Sequence, residues 1–233
     1  MPEFLSGIFQ NLIADVLFLI LSAAAIWLIS QRIKWRTVAA LFRSLRNGVS
    51  NIYFDRSEYI SKRSKTVEQF IASATRHFEY VGIYFSVATD QSRVDDTIKS
   101  LIKKACRVRL VLLDEQSSDE TFRYLEQAFA LAPESLKQRV NHARDHFIAL
   151  RNELAPGERH LLELRVHKFP LMDSAFMIDL GEPKGALLID HKWYGAGREK
   201  SFGLEFIGPE RKGTLFETVS KSFGKISELA EPI

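Results

Sequence analysis

The chain opens on one long apolar run and then settles into alternating short periodicities. From Leu12 to Ser30 it reads LIADVLFLILSAAAIWLIS, with Asp15 as its single charge. A helix needs about 20 apolar residues to cross a bilayer core of ~30 Å. With the largely apolar stretch from Phe4 added, this predicts a transmembrane helix over residues 4–30. Residues 32–46 (RIKWRTVAALFRSLR) interleave cations with Ile33, Trp35, Val38, Leu41, Phe42 and Leu45. That is the pattern of a helix lying along an anionic surface, and residues 31–65 read as a basic amphipathic juxtamembrane helix and linker. From Thr66 the periodicity becomes regular. Val67, Phe70, Ile71, Ala74 and Phe78 fall at helical spacing, and YVGIYFSV (80–87) follows as an apolar strand. Val94 to Ala105 predicts a second helix and VRLVLLD (108–114) a second buried strand; helices over 122–131 and 136–154 come next. LLELRVHKF, SAFMID, GALLID and FGLEFI are short strands between Gly- and Pro-containing turns, and a helix from Thr214 to Leu229 closes the pattern. Apolar strands alternating with helices predict parallel units covered on both faces. The expected fold is α/β, a three-layer domain with a mixed sheet over 66–229.

Charge sharpens the membrane reading. Residues 1–30 hold two acids, Glu3 and Asp15, and all 32 Lys and Arg lie beyond them. Arg32, Lys34 and Arg36 follow the apolar run directly, which keeps that flank in the cytoplasm and sends the N-terminus across. Trp27 and Trp35 bracket the inner boundary, where amphipathic rings settle. The expected location is the inner, cytoplasmic membrane, single-pass, with the C-terminal domain in the cytoplasm. The lipid bilayer is thus the first expected partner. Asp15, near the outer end, either reaches the headgroups or lines the mouth of an oligomeric bundle, in which the small residues Ser22 to Ala25 would let helices pack. The net charge of +3 is accounted for by juxtamembrane cations, so nucleic acid is not an expected partner. A single cysteine, Cys106, excludes an internal disulfide and a Cys-based zinc site.

Candidate chemistry gathers at the predicted strand ends. In open α/β sheets ligands bind beyond the carboxyl ends of the strands. Those ends present Ser86, Thr89 and Asp90, then Asp114, Ser117 and Ser118, then His167 and Lys168, with Lys192, Arg198 and Lys200 near the same rim. Hydroxyls, acids and a few cations suit a small anionic or nucleotide ligand. The same Asp114, Ser117 and Ser118 would also serve to turn the chain and cap the next helix. His142 and His146 have i, i+4 spacing without the Glu of HExxH, and YGAGREKSFG (194–203) follows a strand without the helix of a P-loop. No metal site and no cofactor is expected.

The order of these pieces resembles one half of a phospholipase D-like fold: a helix before GIYFSV, a helix, CRVRLVLLDEQSSD, a helix pair, LELRVHKFPLMDSAFMID, a strand and a final helix. More closely, it is similar to the degenerate phospholipase D-like domains attached to bacterial membrane anchors, over residues 66–229. Active members of that family carry HxKxxxxD, in which His attacks phosphorus, Lys stabilises the phosphoryl charge and Asp supports the network. With the family's Asp placed on Asp179, the His position falls on Met172 and the Lys position on Ser174. A thioether accepts no phosphoryl group and a hydroxyl carries no positive charge. His167 and Lys168 on the preceding strand are the substitutes the sequence offers; Gly195, Gly197 and Ser201 are loose counterparts of the family's Gly-Ser turn. The resemblance therefore implies a membrane-anchored, homo-oligomeric sensor or interaction module, a pseudoenzyme in signalling or defence. The missing motif weighs against an enzyme. The alternatives are a dimeric phosphodiesterase, nuclease or phospholipase, and an oligomeric pore-forming effector.

Overall fold

The structure is a computed structural model that describes residues 46–54, 66–85, 91–195, 200–208 and 212–233. The predicted transmembrane helix, with Asp15, Trp27, Arg32, Lys34, Trp35 and Arg36, lies outside the described residues, as do Ser86, Thr89, Asp90, Gly197 and Arg198. Among the described residues no helix is long and apolar enough to cross a membrane. The chain divides into two units, Met1–Arg46 and Asn47–Ile233, of which the second is the α/β domain.

Eight strands form one mixed sheet: β1 (Val49–Tyr53), β2 (His77–Val81), β3 (Arg107–Leu113), β4 (Leu162–His167), β5 (Asp173–Ile178), β6 (Ala186–His191), β7 (Phe202–Ile207) and β8 (Glu231–Pro232). Their order across the sheet is β1-β7-β6-β5-β2-β3-β4-β8. β2, β3 and β4 run parallel, and every other neighbouring pair is antiparallel. The helices are α1 (Val67–Ala72), α2 (Gln91–Lys103), α3 (Asp119–Ala128), α4 (Ser135–Glu153) and α5 (Leu215–Leu229). β1 was not expected: Val49–Tyr53 falls in the stretch that reads as linker, because its exposed centre shows no apolar alternation.

Alternation along the strands makes three layers. On one face Phe78, Tyr80, Leu110, Leu112, Leu164, Phe176 and Leu188 pack against Phe70 and Ile71 of α1, Ile98 and Leu101 of α2, and Phe147 and Leu150 of α4. On the other, Val81, Val111, Met177, Leu187 and Phe206 pack against Phe216 and Phe223 of α5. A third cluster, with Ile83, Leu113, Phe122, Leu125, Leu136 and Val140, seats α3 and the start of α4 over the carboxyl end of the parallel strands. Polar side chains begin the helices: Thr66 and Gln69 form a capping box on α1, Ser118 caps α3, and Thr214 caps α5. Buried Glu126 does the same for α4 from a distance, its Oε1 accepting the Leu136 N–H at 3.0 Å.

Two boundaries differ from the sequence pattern for a common reason. The first helix ends at Ala72 rather than reaching Phe78, and β2 begins at His77 rather than at Tyr80. Asp179, directly after β5, takes the intervening backbone. Its Oδ2 accepts from Thr75 N and Thr75 Oγ1, and its Oδ1 from Arg76 N and His77 N, all four at 2.8 Å. Asp179 itself sits in the left-handed region at φ 45°, a conformation that short polar side chains tolerate. At the far end of β2 the chain turns at Gly82, where a Cβ would overlap Tyr80 Oη and come within 2.8 Å of Ser174 Oγ.

Burial pushes the Asp179 carboxyl up, but the His77, Arg76 and Thr75 donors outweigh it and hold the group below the ordinary carboxylate range. A depressed acid stabilises the fold above its unfolded pKa of about 4, and that contribution disappears as pH falls through the folded value. Asp179→Ala is expected to lower stability by about 2 kcal/mol, roughly 5 °C in melting temperature, at neutral pH. The difference from the parent should shrink below about pH 4, as read by thermal melts of the full chain. An unchanged difference at acid pH would contradict the assignment.

Candidate functional site

The described residues place chemistry at two positions along the carboxyl edge of the parallel strands. The first gathers Asp114, Ser117, Ser118, His167 and Lys168, which the sequence pattern puts together. Asp114 N donates to His167 O across β3 and β4, and Asp114 Oδ1 accepts the Gln116 N–H at 2.9 Å. Lys168 Nζ lies 3.7 Å from Asp114 Oδ2, with most of its side chain in solvent. Ser118 Oγ accepts the Thr121 N–H at 3.2 Å. Asp114 and Ser118 thus turn the chain and cap α3, and Ser117 Oγ is buried without a hydrogen-bond partner.

His167 is 3% exposed. Its Nδ1 accepts the Phe169 N–H at 3.2 Å, which leaves Nε2 as the protonated nitrogen, donating to Gly82 O at 3.0 Å. Desolvation dominates its titration and pushes the imidazole down to about 4. A neutral ring with both nitrogens engaged to backbone has no lone pair left to attack phosphorus. Asp179 lies at the opposite edge, where β5 ends beside the start of β2. Of the other motif positions, Met172 packs against the third cluster and Ser174 is buried on β5.

The second position lies around that serine. Ser174 and Asp190 are cross-strand partners on β5 and β6, both facing the layer of α1, α2 and α4. Lys192 Nζ donates to Ser174 Oγ at 3.1 Å and lies 3.7 Å from Asp190 Oδ2. Tyr80 Oη donates to Tyr84 O at 2.9 Å and is 3.3 Å from Ser174 Oγ. These groups floor a cavity of about 40 Å³ walled by Ile83, Tyr84, Phe129, Leu131 and Phe176. The Lys192 ammonium also stands 5.6 Å over the Phe129 ring. A serine hydroxyl near an amine has the spacing of a nucleophile and its base. With a carboxylate beside it, however, the amine is an ammonium, which donates and has no lone pair to take the hydroxyl proton. Lys192 is therefore a donor to Ser174 Oγ and not its base.

The sequence names Lys192 only as a rim residue and passes over Tyr80 and Asp190. The signal was there: in GALLID and SAFMID, Asp190 and Ser174 occupy inward positions that strand alternation assigns to apolar side chains. His146 pairs with Asp95 at 2.9 Å between α4 and α2, while His142 is exposed. Among the described residues no group of three or more His, Cys, Asp or Glu side chains is placed to hold a metal. Lys200 is exposed, and Ser201, 2% exposed, precedes β7. Cys106 is buried and its thiol is pushed up to about 11, chiefly by desolvation.

No family model matches the chain and no curated protein matches it. Among solved structures it is similar to TrmBL2, an archaeal chromatin protein with a novel mode of DNA binding. The identity is 12% and the TM-score 0.47, over 98% of this chain and 71% of that one. It is also similar to phosphatidylserine synthase from Haemophilus influenzae Rd KW20, at 13% identity and TM-score 0.41, over 72% of this chain but only 36% of that one. Neither similarity is deep enough to assign an activity.

The His167 environment makes a pH prediction. Its folded pKa lies below the unfolded value of about 6.5, so over the window between them the unfolded chain binds a proton that the folded chain does not. Stability should fall by roughly 3 kcal/mol as pH drops from about 6.5 to about 4. The slope should flatten in His167→Gln, measured by thermal melts, with the parent ring showing the neutral Nε2–H tautomer by nitrogen NMR. An imidazolium at pH 6 would overturn the assignment.

Proposed function

We propose that this protein is a membrane-tethered binding module, a degenerate relative of phospholipase D-like enzymes that senses a small polar ligand rather than cleaving phosphodiesters. Residues 4–30 anchor it in the inner membrane with the N-terminus outside, and the α/β unit faces the cytoplasm. Ligand state reaches the membrane through association of several copies.

The observation that carries this reading is the fate of the three motif positions. Met172 packs into an apolar cluster, Ser174 accepts a hydrogen bond from Lys192, and the Asp179 carboxylate accepts four hydrogen bonds from Thr75, Arg76 and His77. His167, the substitute nucleophile, has both ring nitrogens engaged. What remains at the strand ends is a cavity with a polar floor and apolar walls, the general form of a small-molecule site.

The test is turnover by the full chain in mild detergent, with bis(p-nitrophenyl) phosphate and phosphatidylcholine as substrates from about pH 5 to 8. The expected result is no hydrolysis above buffer, for the parent and for Lys168→Ala alike. Hydrolysis that falls about tenfold or more in Lys168→Ala or His167→Ala would establish a phosphodiesterase and refute the proposal.

A further inference from the structure

We infer that the amino edge of the parallel strands is a lipid-docking surface, where unpaired cations and two exposed aliphatic side chains meet an anionic bilayer. This rests on the reading of the protein as membrane-tethered and names the surface of the α/β unit that touches the lipid.

Strand register decides which residues share that edge. One row of paired residues crosses the sheet through Val49, Phe206, Leu187, Met177, Glu79 and Arg109. Four antiparallel steps separate β1 from β2, so β1, β2 and β3 all run the same way through this row. The segments that lead into them therefore emerge together: residues 47–48, residues 73–76 and residues 103–106. Arg107 N donates to Arg76 O at 2.9 Å, which ties the last two to each other. The turn between β5 and β6, with Glu182 and Lys184, lies on the same side.

The cations here differ from those at the carboxyl edge. Lys103, Lys104, Arg107 and Lys184 are exposed, and among the described residues none of these side chains has an ion-pair partner. Arg76 alone of the group pairs with Glu182. At the carboxyl edge Lys168, Lys192 and Arg144 stand beside Asp114, Asp190 and Glu115. Each Lys or Arg held near an anionic leaflet strengthens binding about fivefold.

Two observations favour a bilayer over nucleic acid. Ile207 and Leu215, 54% and 42% exposed, belong to this edge. Ile207 ends β7, and Leu215 begins α5, where the neighbouring Phe216 N donates to Asn47 O at 3.2 Å. Aliphatic side chains beside cations suit the boundary between headgroups and acyl chains, whereas a phosphate backbone offers them nothing to bury against. The exposed rings on which bases could stack, Tyr124, Phe169, Trp193 and Tyr194, stand near the carboxyl edge instead. The second observation is the point of entry. The unit begins at Asn47, so the chain that leads back to the apolar run leaves from the basic edge. A tether attached there keeps this edge at high effective concentration over the leaflet. The carboxyl edge, with its cavity, then faces away from the lipid.

The experiment reconstitutes the full chain into nanodiscs of phosphatidylcholine, alone or with about 30% phosphatidylglycerol, and follows lysine acetylation by mass spectrometry. At about 50 mM salt, Lys184 should react roughly threefold or more slowly in the anionic discs than in the neutral ones. Lys137, at the start of α4 over the opposite edge, should react equally in both. The protection of Lys184 should vanish at about 0.5 M salt and in the combined Lys103→Gln, Lys104→Gln, Arg107→Gln variant. These side chains are exposed, so that variant should keep the parent's melting temperature. Ile207→Ser with Leu215→Ser leaves every charge in place and should still reduce the protection, which a purely Coulombic contact would not show. Equal reactivity of Lys184 in both discs, with the chain embedded, would overturn the docking surface and leave the tether standing. A chain that stays outside the discs would overturn the tether and this inference with it. Protection by duplex DNA added to neutral discs, with none from anionic discs, would overturn the lipid assignment and make the edge a nucleic-acid surface.

Discussion

The joint between the parallel and antiparallel halves of the sheet is held by one carboxylate. Asp179 ends β5 and takes four hydrogen bonds from the segment that leads into β2. Its own N–H returns to His77 O, so the two strands are fastened from both sides. Buried charge is tolerable where donors surround it, and here they are three backbone N–H groups between α1 and β2 and the Thr75 hydroxyl. The register of β5 against β2 follows, and with it the placement of Ser174 beside Tyr80 at the other end of the pair. A residue that reads in the sequence as the acid of a catalytic motif is thereby committed to the fold.

The same geometry explains why the cavity lies on the antiparallel side of the joint. β2 stops at Val81 and the chain swings through Ile83 and Tyr84 toward α3 and α4, whose packing closes the end of β3. The segment after β6 reaches back, with Gly195 N donating to Ala128 O at the end of α3. Between these, the inward polar pair Ser174 and Asp190 meets Lys192 from the strand end. Among the described residues at the parallel edge, by contrast, Asp114, Ser118 and His167 satisfy backbone groups while Lys168 extends into solvent.

Much of the fold was legible because its signals are local. The apolar runs of β3, β4, β5, β6 and β7 and the stripe of α4 from Leu136 to Leu150 stand where the periodicity puts them. What was not legible depends on distant partners. The edge strand β1 is apolar only at Val49 and Tyr53 among its buried positions and owes its existence to pairing with β7. The start of β2 depends on Asp179, about a hundred residues away in sequence. Asp114, Ser117 and Ser118 stand together at the end of β3, where Asp114 and Ser118 serve as turn and cap. The cavity at Ser174, Asp190 and Lys192 was missed because its residues come from two separate segments and carry no motif. Their mark was polarity at inward strand positions.

The most direct measurement of the central claim, that Asp179 belongs to the fold, is amide hydrogen exchange at Thr75, Arg76 and His77 in the parent and in Asp179→Asn. In the parent these amides should exchange only with the opening of β2 and β5, and in the variant they should exchange much faster while the amides of α4 keep their protection. Fast exchange at all three in the parent, or protection unchanged by the substitution, would contradict it and return Asp179 to the pool of groups free for chemistry.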